Sequence, residues 1–299
     1  MHYNERKHEV ILVINGILLA LIVIFMSVQQ VAKKAFSNRC SGGALTFSAA
    51  SCVAALTVFL VTAGGGLHFT WAFVGYSVAF AVSYCFALVF SLLAIKVGPL
   101  SLSSLLSSFS LLIPTFYGIV ALQEPTSVFL YVGLVLLLGA LVLINFEKKG
   151  QQKKITLRWV IYVLLGFVGN GMCSTVQKIQ QIHMDGQYRS EFMIVALGLC
   201  IVAVSILAVI TERNQILPAI KKGALCFVPC GLANGIVNFL VIYLSAPGRM
   251  AASVMFPVIS GGGIVLTFLI SLFVYKEKLS KWQLIGSGLG LVSVILLNL

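Results

Sequence analysis

Across 299 residues the chain is 60% hydrophobic and only 9% charged, with a mean hydropathy of +1.05 and a formal charge of +12. So few polar side chains cannot cover a water-facing surface, which excludes a soluble globular domain and places the chain in lipid. The excess Lys and Arg are scattered through short loops with no basic domain to carry them, so they read as a membrane-topology signal and not as a nucleic-acid footprint.

The hydrocarbon core holds no water, so a spanning backbone satisfies its own hydrogen bonds. Apolar runs of about 20 residues do this as helices, and the alternation that a barrel needs is missing. Ten runs predict ten transmembrane helices, at 10–30, 45–63, 71–95, 101–121, 127–145, 158–177, 191–210, 223–246, 250–275 and 281–298. The first follows Arg6 and Lys7 as a signal peptide would, but it is too long and no small-residue cleavage site follows, so it is read as a membrane helix.

Polar groups are costly in hydrocarbon, so those kept inside spans are the first candidates for a solvated cavity. The third span carries Tyr76 and Tyr84, and the eighth Tyr243, whose rings either fill helix interfaces or face an apolar or cationic group of a substrate. The fourth holds Ser101, Ser103, Ser104, Ser107, Ser108 and Ser110 before Pro114, most of them read as bonding back to their own helix. In the sixth, Asn170, Ser174 and Gln177 form one polar stripe beside Gly166, Gly169 and Gly171, which suits a cavity wall or a tight helix crossing. Asn234 and Asn238, on one face of the eighth span after Pro229, either bond amides across helices or touch substrate. The ninth opens with Ser253, Phe256, Pro257 and Ser260 ahead of Gly261, Gly262 and Gly263, a pattern that predicts an irregular backbone with carbonyls freed toward a ligand. Trp71, Trp159 and Trp282 begin spans and read as interfacial anchors. Lys33 and Lys178 stand at the exits of the first and sixth spans, where they snorkel to headgroups or attract an anionic or zwitterionic solute.

None of the eight acids falls near the middle of a span, which argues against a buried carboxylate that trades a proton for a lipophilic cation. Glu124 and Glu277 instead end the fourth and ninth spans and are expected to bond the N-terminus of the helix that follows each. The seven cysteines sit almost wholly in apolar runs and read as small buried hydrophobes. Cys226 and Cys230 share a helix face, but no histidine lies inside a span, so neither a metal nor a cofactor is expected.

The chain also repeats itself. Glu124, Gly133 and Asn145 keep the mutual spacing of Glu277, Gly286 and Asn298; Val28-Gln29 pairs with Val176-Gln177, and Gly98-Pro99 with Pro247-Gly248. The two registers differ by about one helical turn, and the glycine triplet of the ninth span is the natural place to absorb it. The most polar break, EKKGQQKKITLR, divides the chain into a first five-helix repeat at 1–146, a basic linker at 147–157 and a second repeat at 158–299. Five helices per half is odd, so the halves enter the membrane from opposite sides as inverted repeats. Such halves rock around a site near the midplane in transporters. Lys and Arg crowd the side of the linker, with only Arg6, Lys7, Lys178, Arg189 and Arg249 opposite, which puts the linker in the cytoplasm and both termini outside.

These elements resemble the drug/metabolite transporter superfamily, in particular its ten-helix EamA-type branch. The match is strongest over residues 251–299, with a small-residue start, a mid-helix Pro257, a terminal Glu277 and Gly286 four residues before Gly290. The fourth span departs from the pattern, carrying serines where the ninth has Phe256-Pro257. The resemblance implies EamA-like halves around a central cavity lined by helices one, three, four, six, eight and nine, with five and ten peripheral and Gly286 and Gly290 serving close packing. It also implies solutes among amino acids, sugars, nucleotide-linked sugars and drugs.

The expectation is therefore an all-α, multi-pass integral membrane protein of a bacterial plasma membrane. It would act as a secondary transporter, exporter or exchanger, of a small polar or amphipathic metabolite by alternating access. Its partners are the bilayer and the solute, with no nucleic acid, and the coupling ion is open. No nucleotide-binding motif supplies ATP energy. Asn170, Ser174, Gln177, Asn234, Asn238, Ser253, Phe256, Pro257, Ser260 and Tyr84 are the candidate cavity residues. The alternative is a non-transporting membrane partner or sensor. An intramembrane enzyme fits least, because one Asp and no mid-span His leave no catalytic pair, so no catalytic residue is expected.

Overall fold

Apolar segments that cannot hand their backbone groups to water coil into helices. The computed structural model describes residues 2–97, 109–145, 156–273 and 281–297, and among them there are helices and turns but no strand. The helices are α1 (His2–Arg39), α2 (Ala44–Ala63), α3 (Val74–Val97), α4 (Leu112–Val120), α5 (Val128–Asn145), α6 (Leu157–His183), α7 (Arg189–Thr211), α8 (Ile216–Ser245), α9 (Ala252–Phe273) and α10 (Lys281–Leu297). Single 3-10 turns at Trp71–Phe73 and Arg213–Gln215 lead into α3 and α8. The Glu277 elbow, Gly98-Pro99, Asn298, the serines of the fourth span up to Ser108 and nearly all of the central linker lie outside the described residues.

Helix ends differ most from expectation. α1 continues past Lys33 and Lys34 to Arg39, α6 runs on to His183, and α8 starts at Ile216, ahead of Lys221 and Lys222. Lys, Arg and Gln end an apolar window but are good helix formers, so the coil outlasts the hydrophobic run. Among the described residues, Val13–Arg39, Ala44–Ala63, Trp71–Ser91, Leu157–His183, Arg189–Thr211 and Arg213–Ser245 are each long and apolar enough to cross a bilayer, while Val128–Leu143, Ala252–Gly263 and Lys281–Leu297 are shorter apolar stretches.

The helices gather into two compact units that interleave the chain. One comprises Met1–Cys85 and Ile179–Arg249, the other Phe86–Lys178 and Met250–Leu299.

In the first unit α8 packs on α1 and α2, and α2 packs on α7. Lipid tails are as apolar as leucine, so helices associate here by close fit and not by escape from water. Gly231 and Gly235 make the fit: a Cβ on Gly231 would run into the Ser51 carbonyl oxygen, and one on Gly235 would come within 2.8 Å of the Ala55 carbonyl. Phe36 and Phe47, with ring centroids 4.4 Å apart, fill the next layer with Ala32, Ala219, Cys226 and Cys230. The start of α2 is held from a distance, because the Glu212 carboxylate at the end of α7 accepts from the Leu45 and Thr46 N–H groups at 3.0–3.1 Å. Ser77 Oγ donates to the Phe192 carbonyl at 3.0 Å and ties α3 to α7.

In the second unit α5 packs on α10, and α9 on α4 and α10. Ser293 Oγ donates to the Gly133 carbonyl at 2.8 Å, where Gly133 lets α5 close on Leu297. The C-terminal half of α3 meets α6 through Ala94, Trp159 and Val163. Trp159 is thus core and not an interfacial anchor, at 5% exposure against 80% for Trp71 and 44% for Trp282. The irregular backbone expected in the ninth span is absent: α9 runs unbroken through Pro257 and the glycine triplet. Pro257 falls near its N-terminus, where few intrahelical bonds are lost. Gly261 serves close approach instead, since a Cβ there would press on Val294 and Leu137.

Candidate functional site

Each unit carries its own line of polar side chains. In the first, Asn234 on α8 donates through Nδ2 to Gln29 Oε1 on α1 at 3.1 Å, and Asn238, one turn on, donates to the Asn234 carbonyl at 2.9 Å and to its Oδ1 at 3.1 Å. Of the two uses the sequence leaves open, Asn234 makes the interhelical amide bond. It is also half-buried, as is Asn238. Tyr84 on α3 accepts from the Cys52 thiol at 3.5 Å. Gln29 is the participant that span-by-span reading passes over. The repeat could have nominated it, because its counterpart is Gln177.

In the second unit the α6 stripe is split by burial. Asn170 is exposed and donates to Ser110 Oγ at 2.5 Å, Ser174 is half-buried, and Gln177 is buried. The glycines beside them also make a tight crossing, for a Cβ on Gly171 would lie 2.6 Å from the Ser110 carbonyl. On α9, Ser253 and Phe256 are 0% and 1% exposed, within the packing of the unit. Pro257 and Ser260 instead line a small apolar crevice with Phe109, Thr115, Leu137 and Leu141.

Glu124 does something other than expected. Its carboxylate caps not the helix that follows it but α9, more than a hundred residues on: Oε1 accepts from the Ala252 N–H and Oε2 from the Ser253 N–H, both at 2.8 Å. Two free N–H groups and the positive end of the helix dipole suit a carboxylate there. The helix that does follow, α5, is capped by Ser127, whose Oγ accepts from the Leu130 N–H at 3.1 Å. Lys178 joins the Glu124 cap. Its ammonium lies 3.8 Å from Glu124 Oε1 and donates to the Met250 carbonyl at 2.8 Å. At 5% exposure Lys178 does not snorkel; it is a buried countercharge.

Long apolar helices, buried polar contacts between them and helix ends capped within the protein define an integral, multi-pass membrane protein of all-helical fold. Residues 153–299 match the EamA-like transporter family, a branch of the drug/metabolite transporter superfamily. Among solved structures, one crystal structure superposes with a TM-score of 0.75 over 94% of this chain and 95% of its own, at 13% identity, a likeness of fold alone. Among curated proteins none matches the chain in sequence.

Proposed function

We propose that the protein is a secondary transporter of a small polar or amphipathic metabolite, an exporter or exchanger of amino-acid-, sugar- or drug-like solutes that works by alternating access between two inverted five-helix halves. The EamA-like match supports the class. The mechanism is supported by the internal repeat, in which Glu124, Gly133 and Asn145 keep the mutual spacing of Glu277, Gly286 and Asn298. Among the helix contacts α2–α7, α4–α9 and α5–α10 join helices five places apart, as equivalent helices of two such halves would be. Inverted halves are the architecture in which one half rocks against the other.

In this reading Asn170, Ser174, Gln177, Asn234, Asn238, Ser253, Phe256, Pro257, Ser260 and Tyr84 are the cavity candidates. Asn170, Asn234 and Asn238 are the first to test, since amides kept inside apolar spans are costly and mark a candidate polar path. The protein would sit in a bacterial plasma membrane with the 147–157 linker in the cytoplasm, as the Lys and Arg bias has it. A thermal-shift screen of the purified protein against amino acids, sugars and nucleotides identifies the solute, because a ligand stabilises the state it binds. Flux into proteoliposomes then tests transport. Asn234→Ala with Asn238→Ala is expected to cut the rate about tenfold or more at unchanged expression, whereas an unchanged rate removes both from the site. A wild-type protein that binds the solute and moves none is a sensor or partner, and the transporter reading then falls.

A further inference from the structure

At one end of the first unit two guanidinium groups rest on one ring. The Cζ of Arg249 lies 4.4 Å from the centroid of Tyr243 and that of Arg189 lies 5.1 Å from it. Each is attracted by the ring's quadrupole, but that attraction leaves both charges uncancelled. Among the described residues neither has a carboxylate within ion-pair distance. Asp185 and Glu191, the acids nearest in sequence, form no ion pair with either, and Glu191 instead accepts the His68 N–H at 3.3 Å.

The pair is also built in place. Arg189 opens α7 and donates through Nε to the Gly186 carbonyl at 2.8 Å and to Gln181 Oε1 at 3.2 Å, which leaves its terminal nitrogens for other partners. Gln181 is itself fully buried and fixed by Gln180 at 2.6 Å, so the fork has a rigid base. Arg249 follows the left-handed Gly248 turn (φ 72°), and its carbonyl accepts from Nδ2 of the buried Asn15 at 3.0 Å. Both residues are half-buried. Two guanidinium forks of like charge, one anchored through Nε and both resting on one ring, with no acid in ion-pair distance among the described residues, are what a carboxylate or a phosphate recruits, because each fork offers parallel N–H donors to two oxygens.

We propose that Arg189, Arg249 and Tyr243 form a binding site for an oxyanion group, carboxylate or phosphate. As a statement about substrate the inference rests on the transporter reading and narrows the solute to an acid-bearing one. As a statement about binding it stands apart from transport. The oxyanion has two possible sources, a free solute or an anionic lipid headgroup, and the test separates them.

Purified full-length protein in detergent is titrated calorimetrically with succinate and with inorganic phosphate at constant ionic strength. In parallel, its thermal unfolding is compared in nanodiscs of phosphatidylcholine with and without phosphatidylglycerol. Saturable binding is expected, weakened at least tenfold in Arg249→Gln and unchanged in Tyr243→Phe, which keeps the ring. Arg249→Gln leaves every hydrogen bond described for that residue in place, since they involve its backbone, whereas Arg189→Gln also cuts the Gly186 and Gln181 anchors and serves as a second variant only if it folds. A response to soluble anions assigns a solute; a response confined to phosphatidylglycerol assigns a headgroup. No saturable response from any of the three probes, or one undiminished in Arg249→Gln, overturns the site. Binding without flux in proteoliposomes would sink the transporter reading and leave the site standing.

Discussion

Glu124 brings together three demands that a buried helix start makes: two N–H groups need acceptors, the dipole favours a negative charge, and that charge needs a counterion. Ala252, Ser253 and Lys178 meet it on all three counts. Removing one partner of a buried pair leaves the other unpaired, at a cost of about 3–5 kcal/mol. Glu124→Gln should therefore lower stability in detergent by roughly that amount, and Lys178→Met likewise. The double variant should lose much less than the sum, which a double-mutant cycle of chemical unfolding measures. Additive losses would mean the two residues act separately. Nothing in the sequence points to this contact, because Glu124 and α9 are distant in the chain and the obvious partner, the following helix, is served by Ser127. The amides were easier to see, since a polar group in an apolar run stands out wherever it points.

Among elements, run length is the legible quantity and helix termini are not. Spans at 45–63, 127–145 and 281–298 fall within a residue of α2, α5 and α10, because turn residues stop both the apolar run and the coil. α1, α6 and α8 overrun their predictions, since a window of hydropathy ends at the first charge and a helix does not. Pattern also misjudged what glycine is for: in α9 it serves a helix contact and breaks nothing. The α2–α8 contact makes that use testable. Gly231→Ala puts a methyl into the Ser51 carbonyl, and overpacking of that kind costs about 1–3 kcal/mol. Gly198→Ala in α7 meets nothing within 4 Å and should instead hold or raise stability, by up to about 1 kcal/mol from the better helix former. Thermal unfolding of the two variants beside wild type separates them; equal shifts would mean that helix propensity and not fit governs the α2–α8 contact.

For the whole molecule, sequence order and spatial order part company. The break at the basic linker divides the chain once, yet each compact unit takes segments from both sides of it, because α8 returns to α1 and α2 while α10 returns to α5. Pairings of that kind depend on which surfaces fit, and one sequence read along its length carries no record of them. The number of crossings is a separate matter, and parity decides it. Five crossings after the linker put the C-terminus on the face opposite the linker; four or six put both on the same face. α10 is the last of the helices after the linker, so its crossing carries the count. Green fluorescent protein inserted in the linker should then fluoresce, as a cytoplasmic reporter does, while the same protein fused after Leu299 stays dark and alkaline phosphatase there is active. Fluorescence at both positions would mean an even number of crossings in the second half, and inverted five-helix halves could not then be built from this chain.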